Sequence, residues 1–297
     1  MANLSSLSGD LASIVESAGR SLVQVDARRG ISGSGVIWTA KDLVVTANHV
    51  LMRDEDIHVG LGDGTVVEAT LVGRDPATDL ALLRLEKQVD ATLEWAAADS
   101  LKVGQLVLAL GRPGKTVRAS LGIISVFGES WRTRAGGTID NYIETDATAF
   151  PGFSGGPMVS AEGQAIGIVT TALTRDATIV VPASTVKTVT DELLQRGRIS
   201  RGYLGVGIQP ARLPSELAGQ TGQETGLLVT SVDPGSPGDK AGLVMGDTLL
   251  AIGDNKIRHW DDLHSALGKD KVGVNVMVRI LRAGKVQEVK AIIGEHP

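Results

Sequence analysis

The sequence predicts a mainly β protein built from small barrels, on two observations. Strand-length apolar runs such as Leu71-Val72-Gly73, Leu106-Val107-Leu108-Ala109-Leu110 and Ala165-Ile166-Gly167-Ile168-Val169 recur along the chain. The turns between them draw on 37 glycines in 297 residues, and short strands joined by Gly-rich turns favour a barrel over a doubly wound parallel sheet. This length allows two or three domains, each with its own core.

Taken in order, Leu4, Leu7, Leu11, Ile14, Val15 and Ala18 stand at near-helical spacing, which predicts an amphipathic helical segment within residues 1–20, ending near Gly19. A first large domain then fills residues 21–197. Within it Leu43-Val44-Val45 reads as a strand that delivers Thr46-Ala47-Asn48-His49-Val50 into a turn, and Asp79 heads a second buried strand, Leu80-Ala81-Leu82-Leu83. Glu129 to Gly137 is polar and reads as a surface loop. Val186, Val189, Leu193 and Leu194 give a helix that ends at Gly197. Residues 198–201 form a polar linker, and residues 202–297 a second domain. In that domain Leu227-Leu228-Val229 and Leu249-Leu250-Ala251-Ile252 are strands on either side of the turn Pro234-Gly235-Ser236-Pro237-Gly238. A helix follows near Asp261 to Leu267, then a strand from Val274 to Leu281.

The chemistry is carried by Pro151-Gly152-Phe153-Ser154-Gly155-Gly156-Pro157. Glycine at 152 permits a sharp turn, so the amides of Gly152 and Ser154 can converge on a developing oxyanion. Taken alone, a Gly/Ser segment of this kind is equally a turn between two strands. A serine hydroxyl is a weak nucleophile near neutral pH and needs a base, for which imidazole has the suitable unperturbed pKa. His49 fits that role, and Asp79 fits the carboxylate that fixes the imidazole tautomer. Asp75 competes for the acid role but precedes a proline and reads as a turn former. The chain order His, Asp, Ser is that of chymotrypsin-type triads.

These stretches, with Gly33-Ser34-Gly35-Val36-Ile37, Thr145-Asp146-Ala147 and Gly202-Tyr203-Leu204-Gly205-Val206, resemble the HtrA (Deg) family of serine proteases along nearly the whole chain. The resemblance implies a chymotrypsin-like double six-stranded β-barrel followed by a PDZ domain. It implies ATP-independent cleavage of unfolded or misfolded proteins, and assembly into homotrimers or larger trimer-based oligomers through the first segment. That segment lacks the aromatic residues such contacts often use, and folding onto its own barrel is the other reading of it. By likeness, Thr148 and Ala149 form the base of the specificity pocket, with no acid to attract lysine or arginine, so small or medium apolar side chains are expected there. Tyr203, Leu204, Gly205 and Val206 stand where a PDZ domain receives a peptide C-terminus, and the strand through Val206 and Ile208 offers an edge to an extended ligand. Leu263 and Leu267 line that groove or pack into the core. The family usually has asparagine at the positions of Phe150 and Phe153, and alanine at that of Asn48. The segment Asp26 to Gly30 is short where some members carry a regulatory loop.

Other classes find little support. A net charge of −5 argues against a nucleic-acid partner. The absence of cysteine excludes a thiol nucleophile and a disulfide framework, and leaves the redox compartment open. The motifs of metal, calcium and nucleotide sites are missing, so no cofactor and no metal is expected, and His58, His259, His264 and His296 are expected to be solvated. No run is long enough to span a bilayer, and the amino terminus lacks a basic segment, apolar core and cleavage motif. The resemblance implies a periplasmic or other extracytoplasmic location, whereas the chain, if complete, reads as cytoplasmic. Three functions therefore stand: an endopeptidase, a catalytically silent or chaperone-like peptide-binding protein on the same scaffold, and an adaptor acting through its second domain alone.

Overall fold

The computed structural model describes residues 4–295 apart from 28–29, 39–40, 92, 97–100 and 175, so part of the Asp26 to Gly30 segment and His296 lie outside the described residues. It divides into two compact units, residues 1–199 and 200–297. Helix α1 (Leu4–Gly19) opens the first unit. The first closed barrel comprises β1 (Leu22–Asp26), β2 (Gly33–Ile37), β3 (Leu43–Ala47), β4 (Ile57–Gly60), β5 (Val66–Asp75) and β6 (Leu80–Leu85), in the order β1-β2-β3-β6-β5-β4. After β7 (Leu106–Gly111) and β8 (Arg118–Phe127) comes a two-stranded ribbon, β9 (Trp131–Arg132) with β10 (Thr138–Ile139). Strands β11 (Ile143–Thr145), β12 (Pro157–Ser160), β13 (Ala165–Thr170) and β14 (Thr178–Pro182) join β7 and β8 in the second barrel, ordered β11-β14-β13-β12-β7-β8. Helix α2 (Ala183–Arg196) closes the unit, and Gly197 caps it at φ +71°, its N–H bonded to the Leu193 carbonyl at 2.8 Å.

Strands β3 and β6 show why the apolar runs are continuous rather than alternating. Val44, Ala47, Ala81, Leu83 and Leu85 face the interior of the first barrel, while Leu43, Val45, Leu80 and Leu82 face outward. The outward set meets Ile168 and Val181 of the second barrel and Val186, Val189 and Leu193 of α2, so both faces of each strand are buried apart from the exposed Arg84 near the end of β6. On the second barrel, Ala18 and the half-buried Leu11, Ile14 and Val15 of α1 pack against Leu108, Leu110 and Val159. The helix thus lies on its own barrel, with Leu4 and Leu7 left exposed at its start.

One loop expectation is corrected. Residues 129–137 contain β9, which pairs with β10 through Arg132 opposite Thr138 and Trp131 opposite Ile139. The physical reason is the half-buried Trp131, whose ring packs edge-on against Tyr142 at 5.3 Å and against the core between the barrels.

The second unit is a small antiparallel sheet with short helices. Its elements are β15 (Gly202–Tyr203), β16 (Val206–Arg212), α3 (Ser215–Thr221), β17 (Thr225–Val232), α4 (Pro237–Lys240), β18 (Thr248–Ile252), β19 (Asn255–Lys256), α5 (Trp260–Ala266), β20 (Asn275–Arg282), β21 (Lys285–Ile292) and β22 (Gly294–Glu295). The main sheet runs β16-β17-β18-β20-β21, with β19 on β18, and β15 pairs with β22. Leu204, Leu227, Leu249, Ile257, Leu263 and Ile280 are among the residues of its core. No helix among the described residues is long and apolar enough to cross a membrane.

A buried ion pair locks this unit. Asp247 is wholly buried, and Arg282 grips it with two hydrogen bonds, Nε to Oδ1 and Nη2 to Oδ2, each 2.7 Å. Donation to the Asp247 carboxylate raises the Arg282 pKa above its ordinary value. Removing the guanidinium leaves the buried carboxylate without a counter-ion, held by the Val244 N–H at 2.9 Å, so Arg282→Ala is expected to destabilise the second unit by about 3 kcal/mol. Chemical denaturation followed by the unit's own unfolding transition checks this.

Candidate active site

Strand register brings a histidine and an acid together. Strands β3 and β6 pair antiparallel with Ala47 opposite Leu80, so the end of β3 lies beside the start of β6. Asp79 is the residue before β6, and a single 3-10 turn, Asn48–Val50, carries His49 over it. The His49 N–H donates to Asp79 Oδ1 at 2.9 Å, and the imidazole Nδ1 meets Oδ2 at 2.8 Å. An ionised carboxylate accepts only, so Nδ1 carries the proton and Nε2 is left with a free lone pair. The Thr170 hydroxyl, at the end of β13, also donates to Asp79 Oδ2, and the Asn48 N–H donates to the Asp79 carbonyl at 3.0 Å.

Asp79 is 3% exposed, and a carboxylate so buried needs these donors. Its backbone sits in the left-handed region at φ +56°, a conformation that costs about 1 kcal/mol or more outside glycine. Asp75, the competing acid, has its carboxylate on the Ala77 N–H at 3.1 Å and the Thr78 hydroxyl at 2.7 Å, the geometry of a turn former.

Ser154 lies between β11 and β12 in two successive reverse turns. The Phe153 N–H bonds to the Phe150 carbonyl at 2.9 Å, with Pro151 second and Gly152 third in the turn at φ +89°. The Gly156 N–H bonds to the Phe153 carbonyl at 2.9 Å, with Gly155 third at φ +88°. Proline then a left-handed glycine is the pattern of a type II turn, which fixes the orientation of the middle peptide and hence of the Gly152 N–H. Among the described residues, neither the Gly152 nor the Ser154 N–H donates a hydrogen bond within the protein. Two unspent donors flanking a serine hydroxyl suit a developing negative charge. The Ser154 hydroxyl, 8% exposed, meets Thr171 Oγ1 at 3.4 Å and makes no hydrogen bond to His49. That contact is longer than ordinary hydroxyl hydrogen bonds and holds the group weakly.

The neighbouring residues differ in what they contribute. Phe153 is fully buried in the second barrel's core, and Phe150 stacks edge-on to it at 5.6 Å while remaining exposed. Thr148 is exposed and Ala149 half-buried against the same core. A groove of about 730 Å³ runs past the Asp79 turn, lined by Pro76, Ala77, Trp131, Tyr142 and Leu173 among others.

In the second unit, Gly205 turns at φ +70°, where a Cβ would lie 2.2 Å from Ser236 Cβ. The carbonyls of Leu204 and Gly205 are bound by the Gly238 and Asp233 N–H groups, whereas the Leu204 and Gly205 amides donate nowhere among the described residues. Strand β16 pairs only with β17, so its other edge is open to an extended chain. Val206 is half-buried and Ile208 nearly fully buried against the core, and Tyr203 donates its hydroxyl to Asp233 at 2.6 Å. Leu263 is buried and Leu267 half-buried in that same core.

Comparisons with known proteins agree with this architecture. Residues 33–168 match the model of the trypsin-like peptidase domain and residues 202–293 that of the PDZ domain. The serine endoprotease DegS of Haemophilus influenzae is 32% identical over 277 residues, which cover 89% of this chain and 77% of the relative. The chain belongs to the HtrA (Deg) family of serine proteases. A probable periplasmic serine endoprotease DegP-like from Marinomonas sp. is 36% identical over 91% of the chain. The chain spans 58% of the length of that relative and 56% of a DegP-like protein from Chlamydia pneumoniae. Among solved structures, the HtrA-type protease AlgW with decapeptide superposes at a TM-score of 0.73 with 27% identity, covering 96% of this chain and 98% of the other. The serine endoprotease from Yersinia pestis gives 0.74 and 28% over 96% and 98%.

Thr170 was not singled out from the sequence of this HtrA-family chain. Its only signal is a threonine ending the apolar run Ala165 to Val169, where a buried hydroxyl needs a partner. Of the other histidines, His259 is exposed and His58 and His264 are half-buried.

The two tyrosines report on both units. Burial, and then the bond to Glu144 at 2.7 Å, pushes Tyr142 up to about 12, and the bond to Asp233 raises Tyr203. A raised phenol pKa stabilises the fold below the unfolded value of about 10 and loses that contribution as pH climbs through the folded one. Tyrosinate absorbance at 295 nm is therefore expected to lag behind that of free tyrosine on alkaline titration, and to catch up when the protein is unfolded in denaturant.

Proposed function

We propose that this protein is an ATP-independent serine endopeptidase acting on extended segments of unfolded or misfolded proteins. The observation that carries the reading is the Asp79 carboxylate holding His49 by Nδ1 and by its main-chain N–H, beside a serine flanked by unspent amides. In the mechanism, Ser154 Oγ leaves Thr171 for His49 Nε2 as substrate enters. Oγ attacks the scissile carbonyl carbon while its proton passes to Nε2, and the Gly152 and Ser154 N–H groups receive the oxyanion. Collapse expels the amine, which takes the proton from His49 and leaves an acyl-enzyme. Water then repeats the sequence on the ester. Asp79 holds the tautomer and stabilises the imidazolium without itself taking the proton.

Substrate contacts follow from the same frame. The groove past Ala77 and Leu173 accepts an extended chain, and Thr148 and Ala149, without a charged partner at their position, favour small or medium apolar residues before the scissile bond. The Leu204 and Gly205 amides receive the carboxylate of a peptide C-terminus, and β16 pairs with the residues before it, either recruiting substrate or relaying activation. Solved relatives carrying a decapeptide and a tripeptide support peptide recognition in this family. The ribbon bearing Arg132 and Arg134 is the candidate relay, because Thr133 donates its hydroxyl to the Ala77 carbonyl at 2.6 Å, two residues before Asp79. Trimer-based assembly and an extracytoplasmic location belong to the same proposal.

The decisive test is labelling of Ser154 by a fluorophosphonate together with casein cleavage, both lost in Ser154→Ala. Absence of labelling with every activating peptide tried would favour the silent peptide-binding protein. Asp79→Asn is expected to lower kcat by about 10⁴-fold, because the imidazole then rests in the wrong tautomer. Steady-state kinetics on the folded variant check it. Alanine at both Arg132 and Arg134 is expected to abolish stimulation by C-terminal peptides and to leave basal turnover intact, read by casein cleavage with and without peptide.

A further inference from the structure

A chain of buried hydrogen bonds leads into the turn that aims the Gly152 amide. The Ser34 hydroxyl, on β2 of the first barrel, donates to the Gly152 carbonyl at 2.6 Å. It accepts in turn from the Arg112 main-chain N–H at 2.7 Å, at the end of β7 in the second barrel. The Arg112 guanidinium donates from Nη2 to the carbonyl of Gly19, the last residue of α1, and from Nη1 to the Lys115 carbonyl, both at 3.0 Å. Ser34 is also clamped by its own backbone: its N–H donates to the Ser154 carbonyl at 3.1 Å, and its carbonyl accepts from Thr46 Oγ1 at 2.7 Å.

Arg112 is an unusual choice for such a place. It is 7% exposed, its Nε has no partner, and among the described residues no carboxylate pairs with it. Burial lowers its pKa from the ordinary value. A guanidinium kept from water without a counter-ion is expensive, and its return here is two main-chain carbonyls held in place. The carbonyls lie on α1 and on the loop after β7, and Pro113 of that loop stands against the turn, where a Cβ at Gly152 would meet it at 2.4 Å.

We propose that Ser34 and Arg112 are positioning residues for the oxyanion turn, forming a relay from the end of α1 through Arg112 and the Ser34 hydroxyl to the Gly152 carbonyl. The carbonyl and N–H of Gly152 lie on either side of one Cα whose φ is left-handed, so fixing the carbonyl restrains rotation of the preceding peptide plane. Removal of the hydroxyl strands two buried polar groups, the Arg112 N–H and the Gly152 carbonyl, and a turn of the Pro151–Gly152 peptide away from the active-site side then meets less resistance. The relay rests on the reading of Ser154 as nucleophile and Gly152 as oxyanion donor.

The test compares the full chain with Ser34→Ala, Arg112→Met and Arg112→Lys, measuring kcat, KM, the fluorophosphonate labelling rate and the downfield proton resonance of His49 Nδ1–H. Ser34→Ala is expected to lower kcat and labelling by about tenfold to a hundredfold, less than outright loss of an oxyanion donor. KM should stay within about twofold, as for an interaction made only in the transition state. The His49 resonance should not move, which separates turn geometry from general damage. Arg112→Met is expected to act in the same direction by a smaller factor, partly restored by Arg112→Lys. A folded Ser34→Ala with kcat and labelling at the wild-type level overturns the relay, as does a loss in which the His49 resonance disappears too. Should Ser34→Ala not fold, Arg112→Met decides on the same criteria. Wild-type protein that is never labelled overturns the proposed function itself, whereas labelled wild type with an equally labelled Ser34→Ala overturns the relay alone.

Discussion

The alignment of Ala47 with Leu80 across two antiparallel strands is the constraint on which the site depends. A shift of one residue would turn Leu80 and Leu82 from the seam between the barrels into the first barrel's interior, and would carry Asp79 away from His49. The register is set by packing, since one face of β3 and β6 belongs to the first barrel's core and the other to the seam with the second barrel and α2. The contact between His49 and Asp79 thus inherits its precision from hydrophobic residues in the cores.

Ser154 comes from the other barrel, so where its hydroxyl stands relative to the His49 imidazole depends on how the two barrels are held together. Val36, Val45, Leu80 and Leu82 on one side and Ile168 and Val181 on the other form that seam. Polar threads run across it close to His49 and Ser154: Thr170 of β13 to Asp79, and Ser34 of β2 to the turn around Gly152. In a low-dielectric interior each thread is costly to leave unpaired, so the barrels are pinned where alignment matters.

Much of this was legible in the chain, and the limits are instructive. The barrels announced themselves because buried strands leave continuous apolar runs and glycine marks the turns. His49 and Asp79 could be singled out because each adjoins such a run, Leu43 to Val45 and Leu80 to Leu83. Thr170 and Arg112 could not, because what they do is defined by partners 91 and 93 residues away, Asp79 and Gly19. No periodicity records a contact of that kind. The ribbon at Trp131 escaped for a different reason: two-residue strands carry too little pattern to rise above a polar loop.

Phe153 shows how the loop around Ser154 is steadied from beneath. It stands between Gly152 and Ser154, is fully buried in the second barrel's core, and packs so closely on Gly111 that a Cβ there would lie 2.8 Å from its ring. Burial of such a side chain is worth about 2 to 3 kcal/mol, comparable to several polar contacts at the surface. The two turns on either side of it therefore pivot on a fixed apolar point. Rotation of the Pro151–Gly152 peptide moves few atoms of that core, because the side chain belongs to the residue after the pivot. An apolar anchor fixes where the loop sits and leaves which way its amides face to hydrogen bonds such as the one from Ser34. Placement of the loop and orientation of the Gly152 and Ser154 amides are thus held by different kinds of force.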